Sequence, residues 1–250
     1  MKKSTSWHHV EKWYDHIVAK KGHTFHQDLI FPSLQSWSLF QKGNALLDLG
    51  CGQGVLARHL PKGVDYLGID AAMALIKKAK SYSDHPFKVG DVTTPYFLDG
   101  KTFTHAIFLL SLQNMARGDL AIKCCASHLK PNGKIILVLN HPCFRIPRQS
   151  SWGVDEKKKL QYRRLDSYGS SLEIPIAMHP SEQENSPQTL SYHHPLSTYI
   201  GWLRESHFLI TRLEEWYSNK ASVGKKAKME DRARKEFPLF LALEATLKLE

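Results

Sequence analysis

The apolar run Ala45-Leu46-Leu47-Asp48-Leu49 ends in three glycines spaced two apart, Gly50-Cys51-Gly52-Gln53-Gly54. No other segment limits the possible folds as tightly. A short apolar run bounded by glycines reads as a strand buried on both faces of a parallel sheet. Glycines directly after such a strand let the backbone turn sharply and approach a ligand more closely than any side chain would allow. The spacing discriminates between ligands: a dinucleotide loop needs G-x-G-x-x-G, but here the third glycine comes one residue early and Val55 stands in the expected place. Asp48 puts a carboxylate just before the loop, where it would repel a pyrophosphate and could hold an ammonium group. A cationic ligand fits better than a nicotinamide dinucleotide.

Strand and helix patterns alternate from this point. Val55–Leu60 reads as helix up to Pro61-Lys62-Gly63, Tyr66-Leu67-Gly68-Ile69 as a second strand, Met73–Tyr82 as helix, and Phe87-Lys88-Val89 as a third strand. A fourth strand (Thr104–Leu110) leads to a helix from about Ala116 to Leu129. The turn Lys130-Pro131-Asn132-Gly133 then precedes a fifth strand, Lys134–Leu139. This alternation predicts an α/β fold, a parallel sheet with helices on both faces. Ahead of it, Trp7, Val10, Trp13, Tyr14 and Ile17 recur at helical spacing, and a second helix over Phe25–Phe40 is kinked near Pro32. Residues 1–43 thus read as an N-terminal helical cover and 44–250 as the main domain. The polar stretch 145–188 reads as a loop-like insertion or lid. Beyond it come a helix from a Ser197 cap to His207 and two strands, Phe208–Leu213 and Phe237–Leu247.

Composition excludes other classes. No apolar run approaches the ~18 residues of a membrane span, Trp7–Lys12 interrupts any signal-like stretch behind Met1-Lys2-Lys3, and a cytoplasmic location is expected. Four cysteines without regular spacing read as reduced, packed thiols. The histidines His8, His9, His23 and His26 lack a ligand spacing, so no metal is expected. The net charge of +10 raises nucleic acid as a partner, but the two basic clusters, Lys157-Lys158-Lys159 with Arg163-Arg164 and Lys220–Lys235, read as solvated surface. Nucleic acid is therefore not favoured.

Two further carboxylates fall at strand ends. Asp70 closes the second strand, where it could accept both hydroxyls of a ribose. Asp91 follows the third in Gly90-Asp91-Val92 and could accept from an adenine amine. Alone, each is more often a helix cap or turn residue; in order, they define a site. Leu46–Gly54 here resembles the first motif of the class I S-adenosylmethionine-dependent methyltransferases, especially their small-molecule-modifying branch. Gly68-Ile69-Asp70 resembles the second motif, Gly90-Asp91 the third, and Leu129–Lys134 the turn before the fifth strand. The likeness covers about 44–140 and departs at Thr104-His105-Ala106, where the family usually carries an acidic residue. It implies a Rossmann-like, seven-stranded, mostly parallel sheet ending in an antiparallel hairpin, and S-adenosyl-L-methionine as cofactor. By the same likeness Gly50, Gly52 and Gly54 would line the methionine part, Asp70 the ribose and Asp91 the adenine. Asp48, Cys51, Ala71, Val92 and Leu110 complete the cofactor side, and Ser111, Gln113 and Asn114 face cofactor and substrate.

Methyl transfer from a sulfonium consumes positive charge, so the protein mainly aligns the reactants and excludes water. A base is needed only if the acceptor must lose a proton. His141 in Asn140-His141-Pro142-Cys143-Phe144 is the best-placed candidate, with His193 as a further substrate-side residue. Backbone hydrogen bonding explains a loop histidine equally well. Tyr14 in the first helix could close over the donor. The expected reaction is methyl transfer to a small-molecule acceptor, a quinone, phenol or other metabolite, at oxygen or carbon. The alternatives are RNA or protein methylation, and a non-catalytic binding module.

Overall fold

The computed structural model describes residues 23–95, 98, 100–177 and 188–248. In chain order the strands are β1 (Ala45–Leu49), β2 (Asp65–Asp70), β3 (Phe87–Val89), β4 (Phe103–Leu109) and β5 (Leu129–Asn140). They are followed by β6 (Ser150–Asp155), β7 (Leu160–Leu165), β8 (Leu172–Ala177), β9 (Gln188–His193), β10 (Phe208–Trp216) and β11 (Phe240–Leu247). The α-helices are α1 (Phe31–Leu34), α2 (Met73–Tyr82), α3 (Gly118–Ala126), α4 (Leu196–Glu205) and α5 (Ala227–Glu236).

Seven strands form one sheet in the order β10-β11-β5-β4-β1-β2-β3. β1 pairs in parallel with β2 and β4, β2 with β3, and β4 with β5, whereas β11 runs antiparallel between β5 and β10. This is the Rossmann-like arrangement the sequence predicts. Pleating sends Leu47 and Leu49 to one face and Leu46 and Asp48 to the other. On the first face Leu47, Phe108 and Leu137 pack with Ile122 of α3 and Leu203 of α4. On the second, Leu46, Tyr66 and Ile136 meet Ile76 of α2 together with Phe31, Leu34 and Trp37. The described part of the N-terminal cover is therefore built into the core. Among the described residues no helix is long and apolar enough to cross a membrane.

Several local expectations are corrected. Val55–Leu60 forms turns and one 3-10 turn, Ala57–His59, because Gly54 has φ 73° and Leu60, held extended before Pro61, stops the helix. The second N-terminal helix is a π turn, His26–Ile30, running into α1 with Pro32 in its first turn, and a separate 3-10 turn follows at Ser38–Phe40. The first predicted helix, with Tyr14, lies outside the described residues. The helix after the insertion starts at Leu196 behind Pro195, with no side-chain cap from Ser197. The last strand starts at Phe240, because 227–236 is helix and Phe237 before Pro238 is extended.

The largest correction concerns 145–188. It is no plain loop: β6 and β7 form one antiparallel hairpin, and β8 pairs with β9 in a second. β6 and β7 hold only partly covered and exposed positions, and β8 and β9 bury Ile174, Thr189 and His193 without a regular alternation, so their strand period is weak in the sequence. The first hairpin rests on Phe237 through Trp152, with ring centroids 5.4 Å apart. Arg163 ties it down by donating to the Phe144 carbonyl at 2.7 Å and the Ser150 hydroxyl at 2.7 Å. β9 of the second lies against the turn Leu112–Asn114 after β4.

Candidate active site

The winding of the chain reverses between β1 and β4, and in open α/β sheets the crevice beyond the strand ends at that point is where ligands bind. The glycine loop stands there. The Gly50 and Cys51 N–H groups both donate to the Ile69 carbonyl, at 2.8 and 3.0 Å. Gly50, Gly52 and Gly54 all have positive φ, 73°, 56° and 73°, which L side chains rarely adopt. A Cβ on Gly50 would lie 2.6 Å from Cβ of Ser111, and one on Gly54 2.7 Å from the Phe87 ring. The outer glycines are thus also required by the protein's own packing. The Ser111 hydroxyl donates to the Leu49 carbonyl at 2.5 Å, joining the ends of β1 and β4.

Three carboxylates follow. Asp48 is 1% exposed, and its Oδ2 accepts from the Tyr66 hydroxyl at 2.8 Å, while Oδ1 is buried without a partner. Burial pushes its pKa up to about 7, opposed by the Tyr66 bond and helped by the Asp70 charge. Asp70 Oδ2 accepts the Gly52 N–H at 2.9 Å and Oδ1 the Ala72 N–H at 2.8 Å, so this side chain also shapes the loop. Asp91 is exposed, and its Oδ1 accepts from the N–H and hydroxyl of Thr93 at 2.9 and 2.6 Å, a turn at the end of β3. Cys51 and Val92 are buried and Ala71 is half-buried. Burial pushes the Cys51 thiol up, away from reactivity. A buried acceptor lacking a donor, with a second carboxylate at the next strand end, suits a ligand bearing a cation and ribose hydroxyls. S-adenosylmethionine fits that donor set.

β4 and β5 end in a stitched pair of turns. Leu110, at φ 54°, donates its N–H to the Val138 carbonyl at 2.8 Å, and Asn114 Nδ2 donates to the Leu110 carbonyl at 3.2 Å. Gln113 Oε1 accepts the Asn140 N–H at 3.0 Å. The next residue, His141, is 1% exposed. Its Nδ1 accepts the Cys143 N–H at 3.2 Å, which leaves Nε2 to donate to Glu215 Oε1 at 2.9 Å. Burial lowers its pKa against the opposing pull of Glu215. His193 is buried on β9, its Nε2 2.8 Å from the Tyr168 carbonyl. The structure therefore joins Asp48, the glycines, Asp70 and Ser111 closely and ties Gln113 to the His141 turn. Asp91 stands apart at the sheet edge.

Sequence reasoning missed Tyr66 and Glu215. Tyr66 was accessible in principle: it shares a face with Gly68, the register partner of Asp48. Glu215 lies 74 residues from His141, and nothing local marks it. Among the described residues no group of His, Cys, Asp and Glu is arranged to hold a metal. A hollow of about 480 Å³ beside α4, lined by Tyr168, Leu196, Ser197, Ile200, Gly201 and Arg204, includes none of the strand-end residues.

Residues 47–137 match the profile of a family described as a methyltransferase domain. The chain is 30% identical over 147 residues to a ubiquinone biosynthesis O-methyltransferase of Coxiella burnetii, an alignment covering 56% of this chain and 60% of that protein. It is 25% identical over 172 residues to the protein of that name from Histophilus somni, covering 64% and 72%. The chain thus spans less than two thirds of the Coxiella relative. A crystal structure of an S-adenosylmethionine-dependent methyltransferase from Mesorhizobium loti superposes with TM-score 0.66 at 21% identity, covering 86% of this chain and 96% of that one, so the two share a fold.

Proposed function

We propose that this chain, whose residues 47–137 match a methyltransferase domain, is a class I S-adenosylmethionine-dependent methyltransferase that transfers a methyl group from S-adenosylmethionine to a small-molecule acceptor at oxygen or carbon. The observation that carries the reading is the buried, unpartnered Oδ1 of Asp48 beside a positive-φ glycine loop at the switch point. The relatives named O-methyltransferases support a small-molecule acceptor, and a cytoplasmic location belongs to the same reading.

When bound, S-adenosylmethionine supplies an electrophilic methyl on a sulfonium. Asp48 would answer the ammonium group of the ligand and Asp70 its ribose, with Asp91, Ala71 and Val92 toward the adenine. Ser111, Gln113 and Asn114 would face the acceptor, and β9 with His193 would help exclude water from it. His141 would take an acceptor proton at Nδ1 once the Cys143 N–H contact is released. Glu215 would then hold the opposite N–H and stabilise the imidazolium, the division of labour a carboxylate–histidine pair performs elsewhere. Tyr14, which lies outside the described residues, would close over the donor.

Calorimetry tests the assignment directly: S-adenosylmethionine and its demethylated product should bind and NAD should not. NAD binding with no response to S-adenosylmethionine would falsify it. A second reading, methylation of RNA, draws on one observation. The two basic stretches meet in space, with Lys226 Nζ 2.8 Å from Glu156 and Arg232 Nη2 donating to the Lys159 carbonyl at 3.0 Å. Against it, β4 is followed by Leu110-Ser111-Leu112-Gln113, which lacks the Asn/Asp-Pro-Pro-aromatic tetrapeptide expected for base-amine methylation.

A further inference from the structure

Among the described residues Arg145 carries a charge without a counter-ion. The turn that begins at His141 returns through the Arg145 N–H, which donates to the His141 carbonyl at 2.8 Å, so the two side chains leave one turn at the end of β5. The guanidinium carbon lies 5.2 Å from the centroid of Phe240 and 5.8 Å from that of Phe25, whose rings meet edge to face at 5.6 Å. The two rings hold the guanidinium by cation–π attraction, but they offer its N–H groups no acceptor. Nη1 is buried without a hydrogen-bond partner, and Arg145 forms no ion pair among the described residues.

The surroundings deepen the deficit. Burial pulls the Arg145 pKa down, and the charge of Arg163 adds to that pull. Lys220 Nζ lies 5.3 Å from the Phe25 ring, and burial, with Lys220 and Arg145 adding to it, lowers the pKa of His23. Glu215, the carboxylate that meets this turn at His141, is committed to that histidine. A guanidinium taken largely out of water among other cations is costly unless paired, and its planar fork matches a carboxylate or phosphate better than any other group.

We infer that Arg145 is a recognition residue for an anionic group, carboxylate or phosphate, on the methyl acceptor. The inference rests on the methyltransferase reading above and narrows it from small molecules in general to anionic ones. It also sets a size. Phe240 opens β11, β11 pairs with β5 and β5 with β4, so the anion sits two strand spacings, about 10 Å, from the end of β4. An acceptor of one ring or a short chain, with its reacting atom near Ser111 and its anion at Arg145, spans that distance.

The test uses the full chain, with and without S-adenosylhomocysteine, titrated with benzoate, phenyl phosphate and neutral benzamide and followed by calorimetry and thermal melting. Benzoate or phenyl phosphate should bind and benzamide should not, the stronger of the two identifying the anion as carboxylate or phosphate. Arg145→Gln should weaken anion binding roughly 10- to 150-fold, and Arg145→Lys should restore part of it, both with S-adenosylhomocysteine affinity unchanged. In the ligand-free protein Arg145→Met should melt no lower than the parent, since it removes an uncompensated charge. The inference is overturned if benzamide binds as well as the anions, if no anion binds the parent, if Arg145→Gln binds anions normally, or if Arg145→Met melts several degrees lower. Failure of S-adenosylhomocysteine to bind the parent would instead sink the donor assignment, and the anion titrations made without it would still read Arg145.

Discussion

Asp48 shows at the residue scale how a functional group is held at a cost to the fold. Its carboxyl titrates near 7 in the folded chain against ~4 unfolded. Between those values the folded state binds the proton and the unfolded state does not, so stability falls as pH rises from about 4 to about 7 and stays reduced above that. Asp48→Asn should therefore melt higher than the parent at pH 8, by up to about 4 kcal/mol in stability, and equally at pH below 4. It should also lose the stabilisation that S-adenosylmethionine gives the parent. Thermal melts across pH in the ligand-free variant check this, and a lower midpoint at pH 8 would remove the buried-charge account. The second residue at issue is His141, whose ring nitrogens are both engaged. If it is the base, His141→Ala should lower turnover by roughly 10²-fold or more with donor affinity unchanged. Unimpaired turnover would leave it a structural link between β5 and Glu215.

Among the elements, the two hairpins decide how the acceptor is enclosed. Trp152 and Arg163 anchor the first beside the His141 turn, and β9 of the second covers the turn after β4, where Ser111, Gln113 and Asn114 stand. Thr189 and His193 are buried although the strand bearing them has no place in the main sheet. Both positions fit a cover over the acceptor, and the lid reading for 145–188 becomes a proposal about folded hairpins rather than about a loop. Amide exchange in Leu190–His193 should slow when demethylated donor and an acceptor are both bound, because such covers open more often than core strands. Unchanged exchange in that strand would mean that the hairpin is a static brace.

At the scale of the whole molecule the question is what the basic charge of +10 serves. The hairpin tip Lys157-Lys158-Lys159 and helix α5 form one surface, although they read as separate solvated stretches in the sequence. If that surface is only solvated, replacing the three lysines by Gln should leave turnover on a metabolite within about twofold and insensitive to salt, whereas an RNA acceptor would lose affinity with a flatter salt slope. The parallel sheet with helices on both faces and the donor-side motif were legible in the sequence because each depends on neighbours a few positions apart: alternating strand and helix periods, glycines after β1, carboxylates at strand ends. The strands within the insertion went unread because β6 and β7 are half-exposed and β8 and β9 bury residues without a regular period, so no apolar period announces them. The tertiary structure alone decided that Asp48 meets Tyr66 across a register, that His141 meets Glu215 from 74 residues away, and that Arg145 meets no acid among the described residues. Burial and partnership depend on how distant segments close on one another, and a local pattern carries no record of that closure.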